Sequence, residues 1–158
     1  MAFRSPVVRY PFGYNSAPMD SALYLPEWDP RLSVGDNYID TQHAMLFYLI
    51  AQLKEALASD EGRTLLRVLD EVKKYATFHF ASEENHMAVV DYPYRHEHAR
   101  IHTRMLVELS DFIRAVETDR QVGNAALRFV EDWLNHHVAH EDQKFARYAQ
   151  SDPVPGAI

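Results

Sequence analysis

Four stretches of this chain repeat apolar residues with the period of a helix, and each apolar stripe is interrupted by histidine, in places joined by a carboxylate. His43, Leu46, Phe47, Ile50, Leu53 and Leu57 share one face of a block from about Thr41 to Ser59, with Asp40 or Thr41 as its expected cap. Leu65, Leu69, Val72, Ala76, His79, Phe80 and Glu83 share a face between about Arg63 and Met87. His98, Ile101, His102, Met105, Leu109, Phe112 and Val116 do the same between about His96 and Glu117. Leu127, Val130, Leu134, His137, Val138 and Phe145 complete the set between about Asn124 and Ala149. Gly62, the Tyr92-Pro93 pair, the polar run Thr118 to Gly123 and Pro153 separate or end the blocks, since proline and glycine interrupt helices. No segment of useful length alternates with the period of a strand. The expected fold is all-α, an up-down-up-down four-helix bundle with short connections. Residues 1–27, which hold Pro6, Pro11, Pro18 and Pro26, read as an irregular N-terminal arm. Residues 28–150 read as the bundle and 151–158 as a C-terminal tail.

Charge and cysteine usage remove several function classes. Of the 158 residues, 23 are acidic and 16 are Lys or Arg, a formal charge of −7. That balance argues against a protein that tracks nucleic-acid phosphates, which needs a basic stripe. The absence of cysteine excludes disulfides, zinc–thiolate sites, iron–sulfur clusters and cysteine nucleophiles. No apolar run reaches the ~18 residues needed to span a bilayer, and proline breaks the N-terminus too often for a signal-peptide core. A cytoplasmic monomer is the expectation.

The histidines then need an explanation. All but one of the nine lie between residues 79 and 140. His79/Glu83 and His98/His102 are spaced i, i+4, so the two members of each pair point the same way. Once the four apolar faces converge, five imidazoles and two carboxylates meet in the core. A single histidine on an apolar face reads as a core residue with one hydrogen-bond partner. Seven such groups without a ligand would cost several kcal/mol each, a total comparable to the ~5–15 kcal/mol stability of a whole domain. Metal coordination removes the conflict. Seven donors exceed the four that zinc takes, and calcium and magnesium prefer oxygen; two metals fit, and donor softness permits iron, zinc or copper.

These residues carry a resemblance to a known family. Trp28-Asp29, Ser33-Val34-Gly35, Ile39-Asp40-Thr41-Gln42-His43, His79-Phe80-Ala81-Ser82-Glu83-Glu84, Tyr92-Pro93, His98-x-x-x-His102 and Trp133-Leu134-Asn135-His136-His137 followed by Asp142 resemble the bacteriohemerythrins, the single-domain prokaryotic hemerythrins. The resemblance spans about residues 27–148. It implies two iron ions in a non-haem centre with an oxo or hydroxo bridge. His98, His102 and His137 would hold one ion and His43 and His79 the other, with Glu83 and Asp142 bridging. Helical arithmetic disagrees at one point. Glu141 lies about 40° from His137 on a regular helix, whereas Asp142 lies about 140° away. A single π-helical turn would bring Asp142 into line, so Asp142 is the expected ligand, with Glu141 as the alternative. His86, His96, His136 and His140 read as surface or outer residues.

What the resemblance implies about function follows from the ligand count. One ion is saturated, and the other keeps an open position at which dioxygen would bind reversibly as a hydroperoxide. Leu46, Phe80, Trp133, Leu134 and Val138 would form an apolar lining over that position, besides serving as bundle core. The expected role is oxygen carrier, store or sensor rather than enzyme, with dioxygen as partner and any protein acceptor of the oxygen left unnamed. The alternatives are a di-iron redox enzyme (oxidase, peroxidase or nitric-oxide reductase) and an iron- or oxygen-responsive regulatory protein that uses the 1–27 arm for docking. The arm's Phe3, Tyr10, Phe12 and Tyr14 would equally suit it to covering the end of the bundle.

Overall fold

The computed structural model describes residues 28–59 and 62–151. The N-terminal arm and the final residues of the tail, with the roles expected of them, lie outside the described residues. Helix α1 spans Asn37–Ala58, α2 Gly62–Val89, α3 Arg95–Thr118 and α4 Gly123–His137. A π-helical turn, Val138–Asp142, then leads directly into α5, Gln143–Ser151. Each helix packs on its neighbours in sequence and α4 closes back on α1, giving the four-helix bundle expected. Among the described residues there is no strand, and no helix is long and apolar enough to cross a membrane.

The helix ends follow local chemistry. Helix α1 starts a turn earlier than its apolar stripe suggests, and its cap is Asp36 rather than Asp40 or Thr41. The Asp36 carboxylate accepts from the backbone N–H groups of Tyr38 (2.8 Å) and Ile39 (3.2 Å), two of the donors a helix leaves orphaned at its start. Ile39 is already buried, so this first turn belongs to the core. Asp40 instead accepts from Ser33 Oγ (2.6 Å) and Val34 N–H (2.8 Å), tying the incoming loop to the helix. Gly35 turns that loop at φ 78, a conformation that favours glycine. Helix α2 ends with Asp91 in the left-handed region (φ 51). There the Tyr92 N–H reaches back to the Met87 carbonyl at 2.9 Å, a Schellman-type closure that Pro93 then makes final.

The bundle is divided along its length. One half is purely apolar, with Leu53, Leu65, Leu69, Val72, Leu109 and Val130 at most 2% exposed. At that end the Arg120 guanidinium, from the α3–α4 connection, donates to the Ala56, Leu57 and Ser59 carbonyls at the end of α1. Gly123 starts α4 so close to α1 and α2 that a Cβ there would meet Leu57 and Leu65 side chains at 2.8 Å. The other half holds the polar residues described below. Leu69 is fully buried in the apolar half. Leu69→Ala is therefore expected to destabilise the fold by about 2–5 kcal/mol while leaving bound metal per chain unchanged, as chemical denaturation and metal analysis would show.

Candidate metal centre

His43 comes from α1, His79 and Glu83 from α2, His98 and His102 from α3, His137 from the end of α4, and Asp142 from the end of the π turn. All seven are at most 3% exposed. Donor atoms of Glu83, His98, His102, His137 and Asp142 lie within 4.8 Å of one another, and those of His43, His79 and Asp142 form a second such group. Asp142 is common to both. Its Oδ1 is 3.0 Å from His137 Nε2 and 3.3 Å from His98 Nε2, and its Oδ2 is 3.2 Å from His43 Nε2. Glu83 Oε2 is 3.2 Å from His98 Nε2 and 3.5 Å from His102 Nε2, so Glu83 falls with the three-imidazole group.

The π turn explains how Asp142 reaches this place. It supplies the additional residue that turns position i+5 from His137 inward. Glu141 points outward and pairs with Lys144 at 2.7 Å. The helical arithmetic that favours Glu141 holds for a regular helix, and the helix is not regular there.

The donor set fits a metal better than it fits itself. Both ring nitrogens of His43, Glu83 Oε1 and both Asp142 oxygens are buried and make no well-aligned hydrogen bond among the described residues. Native proteins rarely leave such groups unsatisfied. His102 Nε2 and His137 Nε2 face each other at 2.9 Å, an approach that suits two lone pairs aimed at a common ion. Beyond the donors, the His79 Nδ1–H donates to Gln42 Oε1 (3.0 Å) and the His102 Nδ1–H to Glu84 Oε1 (2.8 Å). These bonds fix the tautomer that leaves each Nε2 free to coordinate.

Electrostatics in the cluster pull in opposite directions. Burial and the neighbouring His43 push His79 down to about 3. Burial and His137 likewise push His102 down. Burial works against charge on His98 too, but the adjacent carboxylates of Asp142 and Glu83 carry it up to about 9. His43 is also raised, because Asp142 outweighs burial. Burial and the like charge of Asp142 raise Glu83. Asp142 is held well below the carboxylate range, burial being outweighed by the close imidazoles of His137, His43 and His98. Without metal at pH 7, His98 therefore holds a proton that coordination must displace. Metal uptake at that pH is expected to release the His98 proton, and affinity should fall as pH is lowered through about 9, where His98 protonates. Calorimetry in buffers of different ionisation enthalpy measures the release.

Aromatic rings brace the imidazoles. Phe80 stacks on His102 with centroids 3.8 Å apart, and Trp133 stacks on His137 at 4.3 Å. Leu46, Phe80, Leu134 and Val138 are buried in the main apolar cluster, with Trp133 packed against it. Trp28 covers the His43 side, 6.1 Å from that ring and 5.8 Å from Phe47.

The remaining histidines stand apart from the centre. His96 is exposed, and His136 and His140 stack on each other at 4.3 Å on the outer side of the π turn. His86 is half-buried rather than a free surface group. It lies edge-on to Phe145 and 3.4 Å from the Asp36 cap, linking α2 to the start of α1. Gln42 and Glu84 went without a role in the sequence reading, although both stand beside donor positions in the quoted motifs. A helical neighbour is turned about 100° from the donor face, which reads as the flank of the stripe until the facing helix is placed.

Comparison with known proteins agrees with this geometry. The hemerythrin HHE cation binding domain matches residues 34–149. A bacteriohemerythrin of Stenotrophomonas maltophilia is 27% identical over 119 residues, covering 75% of this chain and 78% of the relative. A bacteriohemerythrin of Pseudomonas aeruginosa is 26% identical over 130 residues, covering 80% and 85%. A hemerythrin-like protein of Naegleria gruberi is 29% identical over 118 residues, covering 75% and 88%. The domain match spans the bundle from the loop before α1 into α5, and the buried donors come from α1 to α4 and the π turn within it, so the chain belongs to the hemerythrin HHE cation-binding family and is a non-haem iron protein.

Proposed function

We propose that this chain binds dioxygen reversibly at a pair of iron ions, as a carrier, store or sensor rather than as an enzyme. In this reading His98, His102 and His137 hold one ion, His43 and His79 hold the other, and Glu83 and Asp142 serve both. The observation that carries it is the arrangement of buried donors in two groups that meet at Asp142. When bound, the iron pair supplies the two electrons that dioxygen takes up and returns.

The chain's own residues do the rest. The two-imidazole group would offer an ion fewer protein donors than the three-imidazole group, so a ligand from solution would be taken up there. Gln42 orients His79 and Glu84 orients His102 through their Nδ1–H groups. Leu46, Phe80, Trp133, Leu134 and Val138 present apolar surface close to the donors, which disfavours water and charged species beside a reduced centre. The acidic donors are two, against five imidazoles. Fewer anionic donors stabilise the ferrous state and disfavour the high-valent iron that an oxidase requires.

The test is an anaerobic titration with Fe(II), followed by admission and purging of oxygen. Two irons per chain and a colour that comes with oxygen and fades on purging support the reading. Two irons with irreversible oxidation and steady consumption of a reductant would point to redox catalysis instead. Fewer than two irons would overturn the seven-donor assignment.

A further inference from the structure

Three imidazoles share one donor group, but their outer nitrogens are treated differently. His102 is fixed on three sides. Its Nε2 faces His137 Nε2 at 2.9 Å, its ring lies flat on Phe80 at an interplanar angle of 6°, and its Nδ1–H donates to Glu84 Oε1 at 2.8 Å. The hydrogen bonds and ion pairs that His98 forms with described residues all run through Nε2, to Glu83 and Asp142. In the other group, His79 donates its Nδ1–H to the neutral amide of Gln42 at 3.0 Å.

Glu84 is unlike the other partners of the centre. It follows Glu83 directly on α2, and its side chain is 37% exposed, whereas the His102 side chain it holds is 2% exposed. The carboxylate thus keeps contact with water while one oxygen reaches into the dry side of the bundle. A hydrogen bond from an imidazole N–H to a carboxylate is charge-assisted. It draws the Nδ1 proton outward and leaves Nε2 the stronger donor. A neutral amide at the equivalent place on His79 has a weaker effect.

From this asymmetry we infer that Glu84 is a positioning residue that acts through His102: its charge makes the three-imidazole position the tighter and more electron-rich of the two and lowers the centre's reduction potential. Gln42, being neutral, leaves the two-imidazole position the softer one. The inference rests on the proposal that the cluster holds iron.

The test compares Glu84→Gln, Glu84→Asp and Gln42→Glu in the iron-loaded protein. Three readouts are taken: iron affinity by chelator competition, midpoint potential by redox titration, and the rate of spontaneous oxidation of the ferrous form in air. Glutamine keeps the size and one acceptor oxygen but removes the charge. The expected result is a roughly 10–100-fold loss of affinity, the range seen when a partner behind a ligand is lost, with a raised potential and slower oxidation. Glu84→Asp keeps the charge and should return all three towards wild type. Gln42→Glu should lower the potential. Loss of iron in Glu84→Gln but not in Glu84→Asp would also support the inference, since charge is what separates the two. An unchanged potential in Glu84→Gln, or equal displacement in the glutamine and aspartate variants, would overturn it by reducing Glu84 to a packing role. If the wild-type chain takes up no iron, the reading of the centre fails instead.

Discussion

Asp142→Asn is expected to cost the protein most of its bound metal, whereas Glu141→Gln leaves the metal content at the wild-type value. Asparagine preserves the size of the side chain and one oxygen but removes the charge. Asp142 is the one residue common to both donor groups, within 3.0–3.3 Å of imidazoles from α1, α3 and α4. Both donor groups would lose a member at once, so the loss of affinity should exceed the roughly 10–100-fold typical of removing a partner behind a ligand. The metal-free variant should change as well. His98 and His43 are raised chiefly by this carboxylate, against the effect of burial. Without it, burial weighs more, and both should release their protons more readily than in the wild type. Metal analysis measures the first effect and histidine NMR titration the second. The pair of variants also separates the two neighbouring acids directly, because Glu141 spends its charge on Lys144.

Removal of the metal by chelation is expected to lower Tm by roughly 8–16 °C without abolishing the helical signal in circular dichroism. A ligand present at 1,000 times its Kd stabilises the folded state by about 4 kcal/mol. In a domain of this size each kcal/mol moves Tm by about 2–4 °C. The helices should survive because the apolar half of the bundle does not involve the donors. Leu53, Leu65, Leu69 and Leu109 are 0% exposed without any polar partner. Scanning calorimetry with and without chelator checks this. A Tm unchanged by chelation would show that the centre contributes nothing to the fold.

The bundle was legible in the sequence because its apolar stripes are regular and its breaks are chemically unambiguous. Tyr92-Pro93 and Gly123 punctuate the chain where the structure does. The convergence of the buried histidines was legible for the same reason: histidines at helical spacing on four apolar faces are brought together when those faces pack. Two features escaped. The start of α1 at Asn37 is a matter of capping, and Asp36 looks no different from Asp40 until the loop folds back and occupies the Asp40 carboxylate. Gln42 and Glu84 belong to the contact between neighbouring helices, and the pattern of one helix does not say which flank a neighbour will cover. The π turn is intermediate. Periodicity alone argued against Asp142, and the family pattern argued for it.

The Arg120 contact at the far end of the bundle has a dynamic consequence. It ties the α3–α4 connection to the end of α1 by hydrogen bonds to backbone carbonyls, chemistry that owes nothing to metal. The two ends of one bundle are thus clamped independently, and local opening should be graded along its axis. Backbone amides of Ile39–Phe47, Phe80–Met87 and Leu134–Ala146 should exchange with solvent deuterium at rates that follow metal occupancy. Those of Leu65–Val72 and Leu109–Val116 should be largely indifferent to it. Metal exchange is then expected to proceed by fraying from one end while the other keeps the chain in register.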